Sequence, residues 1–296
     1  MEEPTKKNTM QAFGTSDRIG HDSSRFYSRK MYGNRHKNSI NNLENPCPET
    51  VVNKVYNSSS VRMVEIPDNS VHLMVTSPPY NVGKDYDEDL TEREYYDLLY
   101  SVWKDVYRVL VPGGRACINI ANIGRKPYIP LSDKVSQQMI DIGYLMRGEI
   151  IWDKSASAGT SCAWGSWKSP SNPVLRDTHE YILIFSKSQY ARPAKEKVST
   201  ITRDEFLDYT KSVWSFPAES AKRVGHPAPY PSELPRRLIQ LYTYVDDIVL
   251  DPFIGSGTSA VAAIKNNRKY IGYDISEEYI QIARRRILLE HESLFA

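Results

Sequence analysis

The chain has 296 residues, with 38 Lys and Arg against 36 Asp and Glu for a formal net charge of +2, and 40% hydrophobic against 25% charged residues. That length holds one large core, or a core with an embedded lobe, and that balance excludes a disordered or fibrous polymer. So small a net charge means that any nucleic-acid contact must come from local clusters rather than from the field of the whole molecule.

The three cysteines, Cys47, Cys117 and Cys162, lack the paired spacing of a zinc site or disulfide framework, so no metal is expected. The start, MEEPTKKNTM, has no apolar leader core, and no later stretch approaches the ~18 apolar residues of a membrane span. The expectation is a cytoplasmic protein without a membrane partner.

In chain order, residues 1–45 are a polar arm without a sustained apolar period. Within it, Arg25-Phe-Tyr-Ser-Arg-Lys30 and Arg35-His-Lys37 mix cations with aromatics, which suits phosphate and base contacts as well as it suits a solvated tail. The apolar run VHLMV at 71–75 reads as a buried strand emptying into the rigid loop Thr76-Ser-Pro-Pro-Tyr80. A helix is predicted from Glu92 to Leu110, closed by Pro112-Gly113-Gly114, and a strand at 116–121. Next come a helix near Ser132–Ile142, a strand around Glu149–Trp152, a loop-rich stretch from Ser155 to Pro173 and the strand YILIF at 181–185.

Residues 187–223 are partly helical and mildly basic. A helix at Leu234–Tyr242, a strand at 248–250, a glycine loop at Asp251–Thr258 opening a helix, a strand at 270–274 and a helix at Glu277–Leu289 complete the chain. This alternation predicts an α/β fold with a mostly parallel, doubly wound sheet. The expected divisions are a polar arm (1–45), a catalytic half (46–154), an embedded recognition region that lends a core strand near 180–186 (155–223), and a cofactor-binding half (224–296).

Two motifs carry chemistry. In Asp251-Pro-Phe-Ile-Gly-Ser-Gly-Thr258 the glycines let backbone approach a ligand at a strand's carboxyl end. The acid at its head would repel a pyrophosphate but suits the cationic methionine portion of S-adenosylmethionine. One strand later, Asp274 stands where such folds place an acid on ribose hydroxyls. In the other motif, Pro78 and Pro79 fix the directions of their carbonyls and of the Ser77 hydroxyl, giving rigid acceptors for an amino group, and Tyr80 offers a stacking face.

Together the motifs resemble those of the amino-methylating DNA methyltransferases, which pair [D/N/S]-P-P-[Y/F] with D-P-F-x-G-x-G-T. With the catalytic motif first, the order looks like the permuted class called beta, and the resemblance covers roughly residues 50–290. It implies a methyltransferase fold of circularly permuted motif order, with Ser77, Pro78, Pro79 and Tyr80 as catalytic residues. S-adenosyl-L-methionine would be held by Asp251, Pro252, Phe253, Gly255, Gly257, Thr258 and Asp274. His226-Pro-Ala-Pro-Tyr-Pro231 resembles the segment at the cofactor's methionine end, which adds His226 and Pro231. Asn57 stands where the family usually has an acid near the adenine ring.

Serine at 77, with Gly165–Asn172 and Arg176–Glu180, resembles the cytosine-N4 subgroup of restriction-modification systems; adenine N6 is the alternative. DNA contacts are expected from Trp164, Trp167, Lys168, Arg176, Lys187, Lys222 and Arg223, though both tryptophans also suit the core of a small lobe. The implied partners are double-stranded DNA in the nucleoid and a companion restriction endonuclease, with the chain a monomer or homodimer.

The implied reaction is direct transfer to a flipped-out base. Cytosine-C5 methylation needs a cysteine nucleophile, and Cys47 lies in the turn-rich LENPCPET rather than after an apolar strand. Methylation of protein glutamine or RNA through related Asn-Pro-Pro-Tyr motifs uses the opposite motif order. An inactive DNA-binding module would not need Ser77, Tyr80, Asp251 and Asp274 intact.

Overall fold

The computed structural model describes residues 24–31, 42–80, 90–154, 165–193, 196–219 and 231–295. The chain divides into two compact units, 1–40 and 41–296. In the first, Ser24–Tyr27 forms a single helical turn, α1, and the Ser28 hydroxyl donates to the Arg25 carbonyl at 3.0 Å.

The second unit is built on one eight-stranded sheet. Its strands are β1 (Lys54–Asn57), β2 (Val71–Thr76), β3 (Leu110–Ile120), β6 (Tyr144–Asp153), β7 (His179–Lys187), β8 (Val213–Ser215), β9 (Ile248–Asp251) and β10 (Lys269–Asp274), and a small hairpin pairs β4 (Ile123–Gly124) with β5 (Tyr128–Ile129). The order across the large sheet is β1-β10-β9-β2-β3-β7-β6-β8. All neighbours are parallel except that β7 runs antiparallel to both β3 and β6.

Helices cover both faces, as an apolar sheet requires. Helices α2 (Glu92–Val109) and α3 (Leu131–Ile142) close the core on one side with Tyr95, Leu99, Val102, Trp103, Val106, Val135 and Met139. On the other side lie α5 (Glu233–Tyr242), α6 (Thr258–Lys265) and α7 (Glu277–Phe295), contributing Leu234, Leu238, Ile239, Val261, Ile280 and Ala283. A central strand between two such layers has no solvent face, and all six residues of β2 are buried. Short α4 (Arg203–Tyr209) starts, like α2, with a threonine and glutamate three apart that cap each other's backbone N–H groups (Thr91 with Glu94, Thr202 with Glu205).

One predicted boundary moves. Pro112-Gly113-Gly114 does not close α2 in a loop but lies inside β3, where the pairing with β2 jumps from Val71↔Leu110 to Leu73↔Arg115. Gly113 has a φ of +78°, and a Cβ there would sit 2.4 Å from the Ala191 carbonyl oxygen, so glycine is what lets the bulged strand pass that chain. The region expected to be a recognition lobe supplies two strands of the sheet itself, β7 and β8. Because β7 runs backwards, its first residues join the carboxyl ends of the parallel strands, with Tyr181 beside Ile120 and His179 beside Asp153.

Candidate active site

Strands β2 and β9 are direct neighbours, paired at Leu73↔Val249 and Met74↔Leu250, so the two motif loops leave the sheet side by side. A hydrogen bond joins them: Thr76 Oγ1 donates to Asp251 Oδ1 at 2.6 Å. Asp251 is 1% exposed, and its carboxylate also accepts from the Phe253 backbone N–H at 3.1 Å and from the Ser259 hydroxyl. These donors offset the cost of burying the carboxylate and fix the loop around it.

The glycine loop is fixed at further points. Ile254 N–H donates to the Tyr273 carbonyl at 2.8 Å, and Gly255 N–H to Asp274 Oδ2 at 2.9 Å. Gly255 and Gly257 have φ of +48° and +84°, the left-handed region glycine occupies without strain. A Cβ at 257 would lie 3.0 Å from that of Ala283, so the turn is pressed onto α7. From α7, Arg286 Nη1 reaches the Ser256 carbonyl at 2.6 Å, its hydroxyl at 2.9 Å and Thr258 Oγ1 at 3.1 Å. Pro252 is buried, and half-buried Phe253 meets Trp103 edge-on at 6.1 Å.

At the end of β10, Asp274 takes the Ser276 N–H on Oδ1 at 2.9 Å and the Gly255 N–H on Oδ2; burial raises its pKa. Asn57, at the end of β1, donates to the carbonyls of Asp274 at 3.2 Å and Ile275 at 3.1 Å, tying the two strand ends together. An acid at a strand tip, a loop of bare backbone beside it and an aromatic on its rim suit a nucleoside with a charged tail, so these residues fit S-adenosylmethionine. Pro231 is buried just ahead of α5, its carbonyl accepting from Leu234 N–H at 3.0 Å. His226 lies outside the described residues.

The proline loop is braced by α2, whose Tyr95 hydroxyl donates to the Pro79 carbonyl at 2.8 Å. Pro78 is buried; Ser77, Pro79 and Tyr80 are half-buried. The Ser77 and Tyr80 hydroxyls are 3.2 Å apart, and Tyr80 donates to Glu180 Oε2 at 3.4 Å. Asn119 Nδ2 donates to the same carboxylate oxygen at 2.6 Å and faces Ser77 Oγ at 3.5 Å. Lys154 forms an ion pair with Glu180 Oε1. Burial, reinforced by the Glu180 charge, pushes the Tyr80 phenol well above its ordinary range, so it remains a donor.

Asn119 is 2% exposed, and its Oδ1 has no partner among the described residues. A buried, unsatisfied acceptor costs about 1–3 kcal/mol, a cost tolerated where the amide N–H is needed by Glu180 and Ser77. Cys47 is remote from this cluster: its thiol, pushed up by burial, lies against Ser70, which precedes β2, whereas Ser77 follows it. A nucleophilic role for Cys47 in the same chemistry is thereby excluded.

A family model described as DNA methylase, covering N6 and N4 enzymes, matches residues 71–285. The chain belongs to this DNA methylase family. The methylase is 34% identical over 290 residues to the type II methyltransferase M.MjaI of Methanocaldococcus jannaschii, covering 80% of this chain and 94% of the relative. It is 28% identical over 253 residues to the DNA adenine methyltransferase YhdJ of Escherichia coli K12, covering 79% and 81%. Among solved structures, a DNA modification methylase of Thermus thermophilus complexed with S-adenosyl-L-methionine superposes with a TM-score of 0.65 at 28% identity, covering 80% of this chain and 93% of that one. Motifs, sheet topology and relatives agree on a methyltransferase of permuted motif order.

The residues expected to touch DNA separate into groups. Between Asp153 and His179, which are paired, the chain leaves and re-enters the sheet at the edge where Ser77 lies. There a small hairpin closes through a bridge between Gly165 and Pro173, carrying Trp167, 68% exposed, with the Lys168 ammonium 5.9 Å from its ring. Exposed Arg176 follows on the same segment. Trp164, Lys222 and Arg223 lie outside the described residues.

Lys187 differs from expectation. It ends β7 at the opposite edge of the sheet, is 8% exposed, and its ammonium donates to Asn69 Oδ1 at 2.7 Å and to the carbonyls of Arg108 at 3.1 Å and Leu110 at 2.7 Å. Burial pushes its pKa down to about 8. This cation neutralises backbone acceptors inside the protein and has no surface to offer a phosphate.

Sequence reasoning missed Asn119, Lys154 and Glu180 as site residues, and Arg286 beneath the loop. It also missed the β4–β5 hairpin, where Arg125 bonds Asp177 at 2.6 Å and lies 6.0 Å from the Tyr128 ring. The available signal was a polar residue inside each apolar strand, Asn119 in ACINIA and Glu180 in HEYILIF.

Among the described residues no group of three His, Cys, Asp or Glu could hold a metal, and no helix is long and apolar enough to cross a membrane.

Proposed function

We propose that this DNA methyltransferase, which uses S-adenosylmethionine, modifies cytosine N4 at a specific site in double-stranded DNA. The observation that carries the reading is the Thr76–Asp251 hydrogen bond at 2.6 Å, which sets the proline loop beside the glycine loop. When bound, the cofactor supplies an electrophilic methyl group. Everything else falls to the protein: Ser77 and the Pro78 carbonyl accept the two N–H bonds of the amine, and the Tyr80 ring stacks the base. Asp274 and the loop at 252–258 hold the nucleoside and its charged tail.

A stacked, paired base cannot bring its amino nitrogen to such a cleft, so the target is flipped out of the helix. Serine rather than an acid at position 77 supports cytosine N4. Family membership spans N6 and N4 enzymes, so the base must be read directly. Trp167, Lys168 and Arg176 contact the DNA, joined by Arg125 and Tyr128 from the neighbouring hairpin. A companion endonuclease and action as a monomer or homodimer in the cytoplasm complete the proposal.

The test is nucleoside mass spectrometry and modified-base sequencing of DNA incubated with the protein and S-adenosylmethionine. N4-methylcytosine at one recurring sequence is expected; N6-methyladenine overturns the choice of base. Ser77→Ala is expected to lose transfer while retaining cofactor binding, and transfer at wild-type rates overturns the role of Ser77.

A further inference from the structure

Ser77, Tyr80, Asn119, Glu180 and Lys154 come from four strand ends of one sheet edge, and their hydrogen bonds have a determined direction. A carboxylate can only accept, so both Asn119 Nδ2, at 2.6 Å, and the Tyr80 hydroxyl, at 3.4 Å, give their hydrogens to Glu180 Oε2. With its own hydrogen committed, the Tyr80 oxygen can only accept from Ser77, 3.2 Å away. The amide nitrogen of Asn119, 3.5 Å from Ser77 Oγ, likewise faces that oxygen as a donor. Ser77 therefore turns its hydrogen inward and keeps a lone pair for the substrate. An exocyclic amine, which brings two N–H donors, requires that polarity.

We propose that Glu180 is a positioning residue that sets the Ser77 hydroxyl as an acceptor and takes up, through Ser77 and Tyr80, the proton that the amine loses on methylation. This deepens the amino-methylation reading above and rests on it. As the N–C bond forms and the methyl–sulfur bond breaks, the nitrogen becomes cationic and must shed one proton. That proton passes to Ser77 Oγ while the Ser77 hydrogen moves to the Tyr80 oxygen and the Tyr80 hydrogen to Glu180 Oε2. Both hydroxyls end neutral, the carboxylate ends protonated, and no further reactant is needed. Asn119 steadies the accepting oxygen, and Lys154 pairs with the other. The charged and titratable groups around Glu180 are Asp153 at the end of β6 and Lys154 just after it, Tyr80 from the loop after β2, and its chain neighbours His179 and Tyr181.

The experiment is single-turnover methyl transfer across pH by wild type, Glu180→Gln, Glu180→Asp and Tyr80→Phe, with cofactor affinity by calorimetry and target-DNA affinity by gel shift. Glu180→Gln is expected to slow transfer about 100-fold or more, within the range for proton-transfer catalysis, with both affinities within about 3-fold of wild type. Its pH profile should differ from that of wild type, and Glu180→Asp should restore part of the rate. Tyr80→Phe keeps the stacking ring and should slow transfer in the same direction. Should Glu180→Gln melt early, Glu180→Asp and Tyr80→Phe carry the comparison. Wild-type rate and profile in Glu180→Gln, or wild-type rate in Tyr80→Phe, overturns the relay alone. A wild-type protein that transfers no methyl group to any amino nitrogen of DNA overturns the reading beneath it as well.

Discussion

Thr76 and Asp251 meet across two adjacent strands, and the bond between them does more than close a gap. Asp251 is 1% exposed, so each of its donors offsets part of the cost of burying a carboxylate. Replacing Thr76 with valine keeps the shape and deletes one donor. A hydrogen bond to a charged group contributes about 1.5–3 kcal/mol, and part of that loss reaches the glycine loop through Phe253, whose N–H shares Oδ1. Thr76→Val is expected to weaken S-adenosylmethionine about 10-fold by calorimetry and to lower the melting temperature. Unchanged affinity in a folded variant would mean that the loop holds its form without this link.

Among the elements, α4 and α5 are braced by Arg236, which pairs with Glu205 at 2.9 Å and Glu233 at 2.8 Å. Glu205 also caps α4, and its carboxyl is held at about 2, against 4.5 unperturbed, first by the Thr202 backbone N–H and then by the Arg236 guanidinium. A depressed carboxyl contributes stability that is present above pH 4.5 and fades as the pH falls toward 2. The side chain is 26% exposed, so solvent screening reduces the contribution to about 1 kcal/mol. Denaturant unfolding should show Glu205→Gln less stable than wild type by about that amount at neutral pH, with the gap closing across the acid window. A gap that persists at pH 2 would locate the loss in packing instead.

The same scale explains what was legible in the sequence. Strands β2, β9 and β10 could be found because each is an apolar run that gives way abruptly to polar or proline-bearing residues, Thr76-Ser77-Pro78, Asp251-Pro252 or Asp274, and so the motif loops were legible with them. The bulge in β3 was not, because Pro-Gly-Gly looks like a helix stop until the passing chain at Ala191 is known. Glu180 was not legible as a site residue because only the reversed direction of β7 brings its first residues to the catalytic edge. Lys187 misled for the converse reason: its charge suggested a phosphate, and the carbonyls that engage it belong to β3 and the end of α2.

Across the whole molecule, the chemistry is confined to one edge of the sheet, and the chain between β6 and β7 departs from and returns to that edge. On the proposed reading this separates two tasks. The loops that follow β2 and β9 are held by buried residues of the core, whereas Trp167, Lys168 and Arg176 are exposed on the connecting segment. Side chains on such a segment can read base edges, and cations there neutralise phosphates, which gives affinity without sequence information. Replacing residues 155–178 with the corresponding segment of a relative that methylates another sequence is therefore expected to change the site modified, read by sequencing, and to leave cofactor affinity unchanged. Lys168→Ala should weaken binding to all duplexes alike and flatten its dependence on salt by about one phosphate contact. If the exchanged protein still modifies the original sequence, recognition resides outside this segment, and the two tasks are not divided along the chain as the sheet divides them.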